Sequence, residues 1–292
     1  MDGILIINKP KGRTSHDIVA KVKKIVGSKV GHTGTLDPNA TGVLPLLIGK
    51  GTLCSQYLME HDKIYEVVLK LGIKTNTADS EGNIIQEKEV LVENLEKDNL
   101  KHILNSFLGK QEQMPPMYSA IKVNGKKLYE YARKGQIVEI KPRKIEIYQC
   151  ELKQINLEQK EIHFIVHCSK GTYIRSLCED IANKLDTVGY MKELNRIKVG
   201  KFSIENSITV EELEENAANE KFINEHFISI ENAFYETDSI TITDDRLKHL
   251  KNGVKLSFNL KDNLYRIYNP KKDFIGIGSV KNNLLKREII LD

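Results

Sequence analysis

Residues 31–42 read GHTGTLDPNATG, and an apolar run, residues 43–48, follows directly. Three glycines, one proline and the Asp37-Pro38 step are incompatible with a helix or strand across this stretch, so it is a loop between regular elements. It holds one carboxylate, Asp37, one imidazole, His32, and no other titratable side chain. Polar groups isolated on a loop between apolar elements are where chemistry concentrates. An Asp-Pro step taken alone would be read as a turn and nothing more.

Working outward, residues 3–7 form a short apolar strand stopped by the NKPKG turn. Thr14 or Ser15 can cap the helix that follows, in which Ile18, Val22, Ile25 and Val26 recur at helical spacing before Gly27 ends it. On the other side, a helix over about residues 52–59 precedes a strand at 64–73, rich in β-branched and aromatic residues, with Tyr65 near its start. The IGKGT segment at 48–52 is not a phosphate loop, because Leu44 stands where that motif needs glycine and Gly51 where it needs Ser or Thr. Downstream lie a polar loop at 75–83, a helix at 95–107, and a hairpin turn at Asn124-Gly125 leading into a basic helix at 126–134. Two strands at 143–152 and 160–168 then run into Gly171 and Thr172. The amphipathic spacing of 173–185 places Arg175 on the first turn of a helix. An acidic helix is expected at 211–219, and short strands with glycines fill the chain from about residue 237.

The chain of 292 residues and 33.3 kDa is 40% hydrophobic and 29% charged, proportions that fit a globular protein with a catalytic domain and a smaller second one. No apolar run approaches the roughly 20 residues of a membrane span, and the start MDGILIINKP has no signal-peptide pattern. A cytoplasmic protein is expected. Cys54, Cys150, Cys168 and Cys178 form no CxxC pair and read as buried thiols. His163 and His167 share a strand face around Ile165, which is a packing pattern rather than a metal site. Residues 205–245 hold twelve acids and one base, a net charge of −11 within a chain of +4, so the remainder carries +15. A basic body with its acid gathered in one segment suits a polyanionic partner.

GHTGTLDPNATG resembles the signature of the bacterial tRNA pseudouridine-55 synthases, the TruB family, in which the aspartate of this run is the nucleophile. Further segments carry the same resemblance: NKPKGRTS at 8–15, the K-x-Y context of Tyr65, PPMYSAIKVNGKKLYEYAR at 115–133, CSKGTYIRSLCEDIA at 168–182 and MKELNRIKVGKFS at 191–203. The segments RLKHLKNGVKL and YRIYNPKKDFIGIGSV resemble, more loosely, a PUA-type RNA-binding barrel.

The resemblance implies an α+β fold: a mixed, mostly antiparallel central sheet with flanking helices, with a catalytic domain at 1–235 and a PUA-like domain at 236–292. It implies a tRNA T stem-loop substrate, no cofactor, no metal, and a monomer without an obligate protein partner. Residue by residue, it makes Asp37 the nucleophile, Arg175 the arginine that pairs with that carboxylate, and Tyr65 a stacking residue that also takes the proton from carbon 5. Tyr173 and Leu194 become apolar walls, and His32 the residue that fills the space left by the flipped base. Asp79 reads as structural or peripheral, Lys122, Lys126, Lys127, Arg133 and Lys134 as an RNA-facing element, and the lysines and arginine of NKPKGRTS as phosphate contacts. Asn195 departs from the family, which often has a second arginine there.

A carboxylate can attack carbon 6 of the base or the anomeric carbon of the sugar, and residue identity leaves both routes open. A pocket that excludes water disfavours a charged carboxylate, and a neighbouring guanidinium compensates. Two other readings stand beside this one. A catalytically idle RNA-binding protein on the same scaffold is at odds with Asp37, Tyr65 and Arg175 all being present, and a guide-RNA-dependent synthase is at odds with the absence of added basic tails.

Overall fold

A computed structural model of the chain describes residues 2–59, 61–136 and 138–291. The strand Gly3–Lys9 is apolar at consecutive positions because both of its faces are covered. Ile4 and Ile6 enter one apolar cluster and Leu5 and Ile7 another. The helix Ser15–Val26 starts at Thr14, whose hydroxyl accepts from the Asp17 amide while the Asp17 carboxylate accepts from the Thr14 amide, a reciprocal cap. It ends at Gly27, and Ile18 and Val22 point into the sheet.

Ten strands make one sheet, eight of them in the order Phe227–Ser229, Gly3–Lys9, Thr41–Ile48, Gly189–Val199, Lys63–Leu71, Glu161–Cys168, Arg143–Asn156 and Gly109–Gln113. The short strands Val30–His32 and Phe202–Ser203 pair with Thr41–Ile48 and Gly189–Val199. Pairing is antiparallel throughout, except that Gly189–Val199 runs parallel to Thr41–Ile48, with Asn195 opposite Thr41 and Arg196 opposite Gly42. This contact brings the end of the Asp37 loop against a strand more than 150 residues away.

Along Lys63–Leu71, Tyr65, Val67, Leu69 and Leu71 alternate into the core. Two helices, Lys97–Asn105 and Ile174–Lys184, cover that face with Leu100, Leu104, Ile174, Leu177 and Ile181. Each such side chain contributes about 1.5–3 kcal/mol on burial. The helix Ile174–Lys184 follows the strand Glu161–Cys168 directly, so its first turn sits at the sheet end that carries the Asp37 loop.

A second sheet of five strands, from Ser239–Thr241 to Leu284–Ile290, closes the chain. It is not independent of the first, since Ile277 and Ile289 share an apolar cluster with Ile4, Val43 and Phe202. The Tyr268 hydroxyl also donates to Glu231 at 2.6 Å.

Several elements differ from expectation. The helix over 52–59 is a 3-10 turn, Gly49–Cys54, running into Ser55–Leu58. The basic helix shrinks to Leu128–Ala132, behind a hairpin whose turn residues Asn124 and Gly125 both have positive φ. The acidic helix expected at 211–219 is the shorter Val210–Glu215, and a separate helix, Glu220–His226, begins beyond it with Asn219 as its cap. Among the described residues no helix is long and apolar enough to cross a membrane.

Candidate active site

Three buried side chains shape the Asp37 loop from beneath. The Lys9 ammonium donates to the carbonyls of Pro10, Arg13 and Pro38 at 3.0, 2.6 and 3.0 Å, using all three of its protons. Burial lowers its pKa to about 8, against the opposing pull of Asp37. The Ser15 hydroxyl donates to the Leu36 carbonyl at 3.1 Å and accepts from the Leu36 amide at 2.9 Å. The Arg196 guanidinium donates from Nε to the Val43 carbonyl at 2.8 Å and from Nη2 to the Gly34 carbonyl at 3.1 Å. Gly42 closes the loop with φ of 101°, and a Cβ there would lie 2.2 Å from the Arg196 carbonyl oxygen, so only glycine fits.

Held in this way, Asp37 presents a partly exposed carboxylate to Arg175, whose Nε lies 3.2 Å from Oδ2. The contact is through one nitrogen, not the planar fork. The rest of the guanidinium is taken by the Asp79 carboxylate at 3.5 Å and by the carbonyls of Thr77 and Tyr118 at 3.3 and 3.0 Å. Asp79 is itself fixed, since its Oδ1 accepts from the Thr77 hydroxyl at 2.6 Å and the Glu81 amide at 3.1 Å. Arg175 is therefore buried with two carboxylates and two carbonyls around it.

Beside this pair opens a cleft of about 520 Å³, lined by Thr33 to Thr35, Lys63, Tyr65, Tyr173 and Arg196, with Arg143, Lys144 and Lys170 also along it. Tyr65 stands opposite Arg196 across the strand pair, and both line this cleft. Burial raises the Tyr65 pKa, Arg196 opposes the rise, and the group stands as a neutral phenol. Tyr173 is clamped at the helix start by the Gln113 amide, which accepts from its N–H at 2.8 Å and donates to its carbonyl at 3.0 Å.

A scan for family models matches residues 21–174 to the TruB family pseudouridylate synthase N-terminal domain, and residues 175–235 to the tRNA pseudouridylate synthase B C-terminal domain. The chain is 46% identical to tRNA pseudouridine synthase B of Clostridium kluyveri, over 97% of this chain and 96% of that protein. It is 42% identical to the Caldanaerobacter subterraneus subsp. tengcongensis protein of the same name, over 98% of each. The chain belongs to the TruB family of tRNA pseudouridine synthases. It is an isomerase. Among solved structures, an H/ACA RNP bound to a substrate RNA containing 2'-deoxyuridine superposes with a TM-score of 0.72 at 23% identity, over 99% of this chain and 85% of that one. A Cbf5-Nop10-Gar1 complex gives 0.71 at 25%, over 99% and 84%. The likeness in fold thus extends over the C-terminal, PUA-like sheet as well as the ten-stranded one.

Within this family member, Asp37, Arg175, Tyr65 and Tyr173 gather at one end of the sheet. Leu194 stands apart from the cleft: it is buried in the same apolar cluster as Tyr65 and Leu36, and lines a separate hollow with Thr41, Glu66 and Asn195. His32 accepts from the Gly34 amide at 3.3 Å through Nδ1, so in the free chain it is tied into its own loop. Burial, with Arg196 and His16 nearby, lowers its pKa and keeps it neutral. Asn195 bridges the sheet, accepting from the Thr41 hydroxyl at 3.1 Å and donating to Glu66 at 2.9 Å.

Lys9 is a correction. NKPKGRTS reads as a phosphate-facing run, yet Lys9 is wholly buried and serves the loop, leaving Lys11 and Arg13 exposed. Asp79, read as structural or peripheral, takes the structural of those two roles and braces Arg175. In the basic element, Lys127 and Arg133 both lie over the Tyr129 ring, at 5.3 and 5.4 Å from its centroid.

Proposed function

We propose that the chain converts the T-loop uridine of tRNA, position 55 by tRNA convention, to pseudouridine, with Asp37 as the nucleophile. The observation that carries this is the Asp37 carboxylate fixed by Arg175 beside a cleft walled by Tyr65 and Tyr173. The reaction breaks the bond from ribose to base nitrogen, turns the uracil and rejoins it through carbon 5. There is no net redox change, so a carboxylate nucleophile and a proton carrier suffice.

A uridine inside folded RNA must first be extruded, at a cost of a few kcal/mol. His32 leaves its bond to Gly34 and fills the vacated space, while Tyr65 and Tyr173 receive the base and Leu194 backs the wall from within the core. Arg175 spends one N–H on Asp37 and three contacts on Asp79, Thr77 and Tyr118, an arrangement that fixes the carboxylate's direction of attack. Tyr65 stacks on the base and takes the carbon-5 proton. Basic side chains along the cleft bind the backbone, and the PUA-like residues 236–292 add affinity to a catalytic domain at 1–235.

Mapping pseudouridine in total tRNA from cells with and without this protein tests the proposal. Loss of the modification at the T-loop position alone is the expected result, and an unchanged T loop in the deletion overturns it.

A further inference from the structure

Arg196 is an unusual arginine. It is 2% exposed, and no carboxylate pairs with it among the described residues. The charged groups around it are cations or neutral: burial, and after it the Arg196 charge, lowers the pKa of Lys9, Lys63 and His32. Lys63 is itself buried and donates to the carbonyls of Met59 and His61. Among the described residues, the ionisable group that favours the charge on Arg196 is the Tyr65 phenol. Tyr65 faces Arg196 from the neighbouring strand, Asp37 from the loop and Cys168 from the strand on its other side, and the Cys168 thiol, pushed up to about 12 by burial, is neutral.

Holding two carbonyls does not require a full charge, since neutral donors satisfy carbonyls as well. A buried guanidinium without an anion is costly unless an anion is formed beside it. The resting phenol leaves that place open, and a phenolate would fill it.

We infer that Arg196 is a positioning residue for proton transfer, stabilising a phenolate that Tyr65 forms midway through the reaction. The inference rests on the proposed function and assigns Tyr65 a closed proton cycle. As the bond from ribose to N1 breaks, its electron pair stays on N1 and takes the Tyr65 proton, leaving a phenolate against Arg196. The uracil turns, carbon 5 bonds to the ribose, the Asp37 carboxylate leaves the carbon it attacked and takes that bond's electron pair with it, and the phenolate removes the carbon-5 proton. That C–H electron pair restores the double bond between carbons 5 and 6. One proton has moved from carbon 5 to N1, the phenol is regenerated, and no oxidant or further reactant is consumed. The cycle accounts for a tyrosine that rests as a neutral phenol and yet acts as a base.

The test is single-turnover tritium release from carbon-5-labelled tRNA by the full chain. Arg196→Gln removes the charge and keeps a donor, and is expected to slow release at least about tenfold, at the low end of what acid–base groups contribute, with tRNA binding unchanged. Replacing Tyr65 in that variant with a trifluorotyrosine, a stronger acid, is expected to restore most of the rate, which repair of a merely structural defect would not do. No rescue by the fluorinated phenol overturns the inference. If Arg196→Gln does not fold, Arg196→Lys decides: a retained charge should keep release within about fivefold, and a loss of about a hundredfold, typical of a missing acid–base group, overturns it. Tyr65→Phe separates the two levels. Parent-like release by Tyr65→Phe defeats the role given to Tyr65 in the proposed function, whereas an inactive Tyr65→Phe with no fluorotyrosine rescue defeats the Arg196 inference alone.

Discussion

Arg175 and Arg196 lie at the same end of the sheet, both buried, and solve opposite problems. Arg175 sits between Asp37 and Asp79, so its charge is matched twice over, and its geometry serves to aim one of the two carboxylates. Arg196 has two carbonyls and a phenol, and no carboxylate. An arginine ringed by acids is a positioning device whose electrostatics are already settled. An arginine without one stores an unmet preference for negative charge, which the reaction can use if it creates an anion there. On the proposed reading, the contrast gives one arginine the aiming of the attack on the sugar or base and the other the proton traffic.

Arg175→Lys should break the first half of that contrast. A point charge cannot serve Asp37, Asp79, Thr77 and Tyr118 together, so kcat is expected to fall at least about tenfold, ~1.4 kcal/mol of barrier. Steady-state tritium release reads it, and near-normal rates would make Arg175 peripheral.

Asp79→Asn sharpens the same half. It keeps the shape but removes one of the two charges on Arg175, and a smaller loss in kcat of about threefold is expected, ~0.7 kcal/mol. A larger loss than that of Arg175→Lys would mean Asp79 acts directly.

Gly42→Ala probes the Arg196 side through the backbone. A Cβ at this positive-φ position meets the Arg196 carbonyl, and displacement of loop or strand should cost about 1–3 kcal/mol of stability, seen as a lower denaturation midpoint. An unchanged midpoint would show that the loop and strand are not held as tightly as the close approach implies.

Lys21→Ala is the control for an exposed ion pair. Lys21 meets Glu211 and Glu214 at 3.4 and 3.0 Å on the surface, and its loss should move stability by no more than about 1 kcal/mol and activity not at all.

The Asp37 loop was legible because it is local, with three glycines and an Asp-Pro step enforcing the turn within twelve residues, while the choice of Asp37 within it came from the family resemblance. Tyr65 was legible through strand alternation together with the family resemblance, and Arg175 through the break at Gly171-Thr172 that starts a helix. The loop's supports were not, because the partners of Lys9 and Arg196 are backbone carbonyls, and carbonyls leave no mark on residue identity. Arg196 reaches Gly34 and Val43 only because the strands Gly189–Val199 and Thr41–Ile48 lie side by side, a parallel pairing that no local pattern announces. The specific partner of Asp79, read as structural or peripheral, was hidden for a related reason. Its polar loop looks like any surface turn until Asp79, paired with Met191 in an isolated bridge, is seen to face Arg175. The acidic helix stops short of its expected end, and Asn219 serves as the cap of the next helix rather than as a helix residue.

The central claim is that the ionised carboxylate of Asp37 makes the attack. Asp37→Asn keeps the size of the side chain and its capacity to accept from Arg175, and removes the charge. Single-turnover tritium release from carbon-5-labelled tRNA, measured at saturating enzyme beside a tRNA-binding isotherm, tests it most directly. The account predicts no detectable release with binding retained. Appreciable release by a sequence-verified Asp37→Asn protein would contradict it.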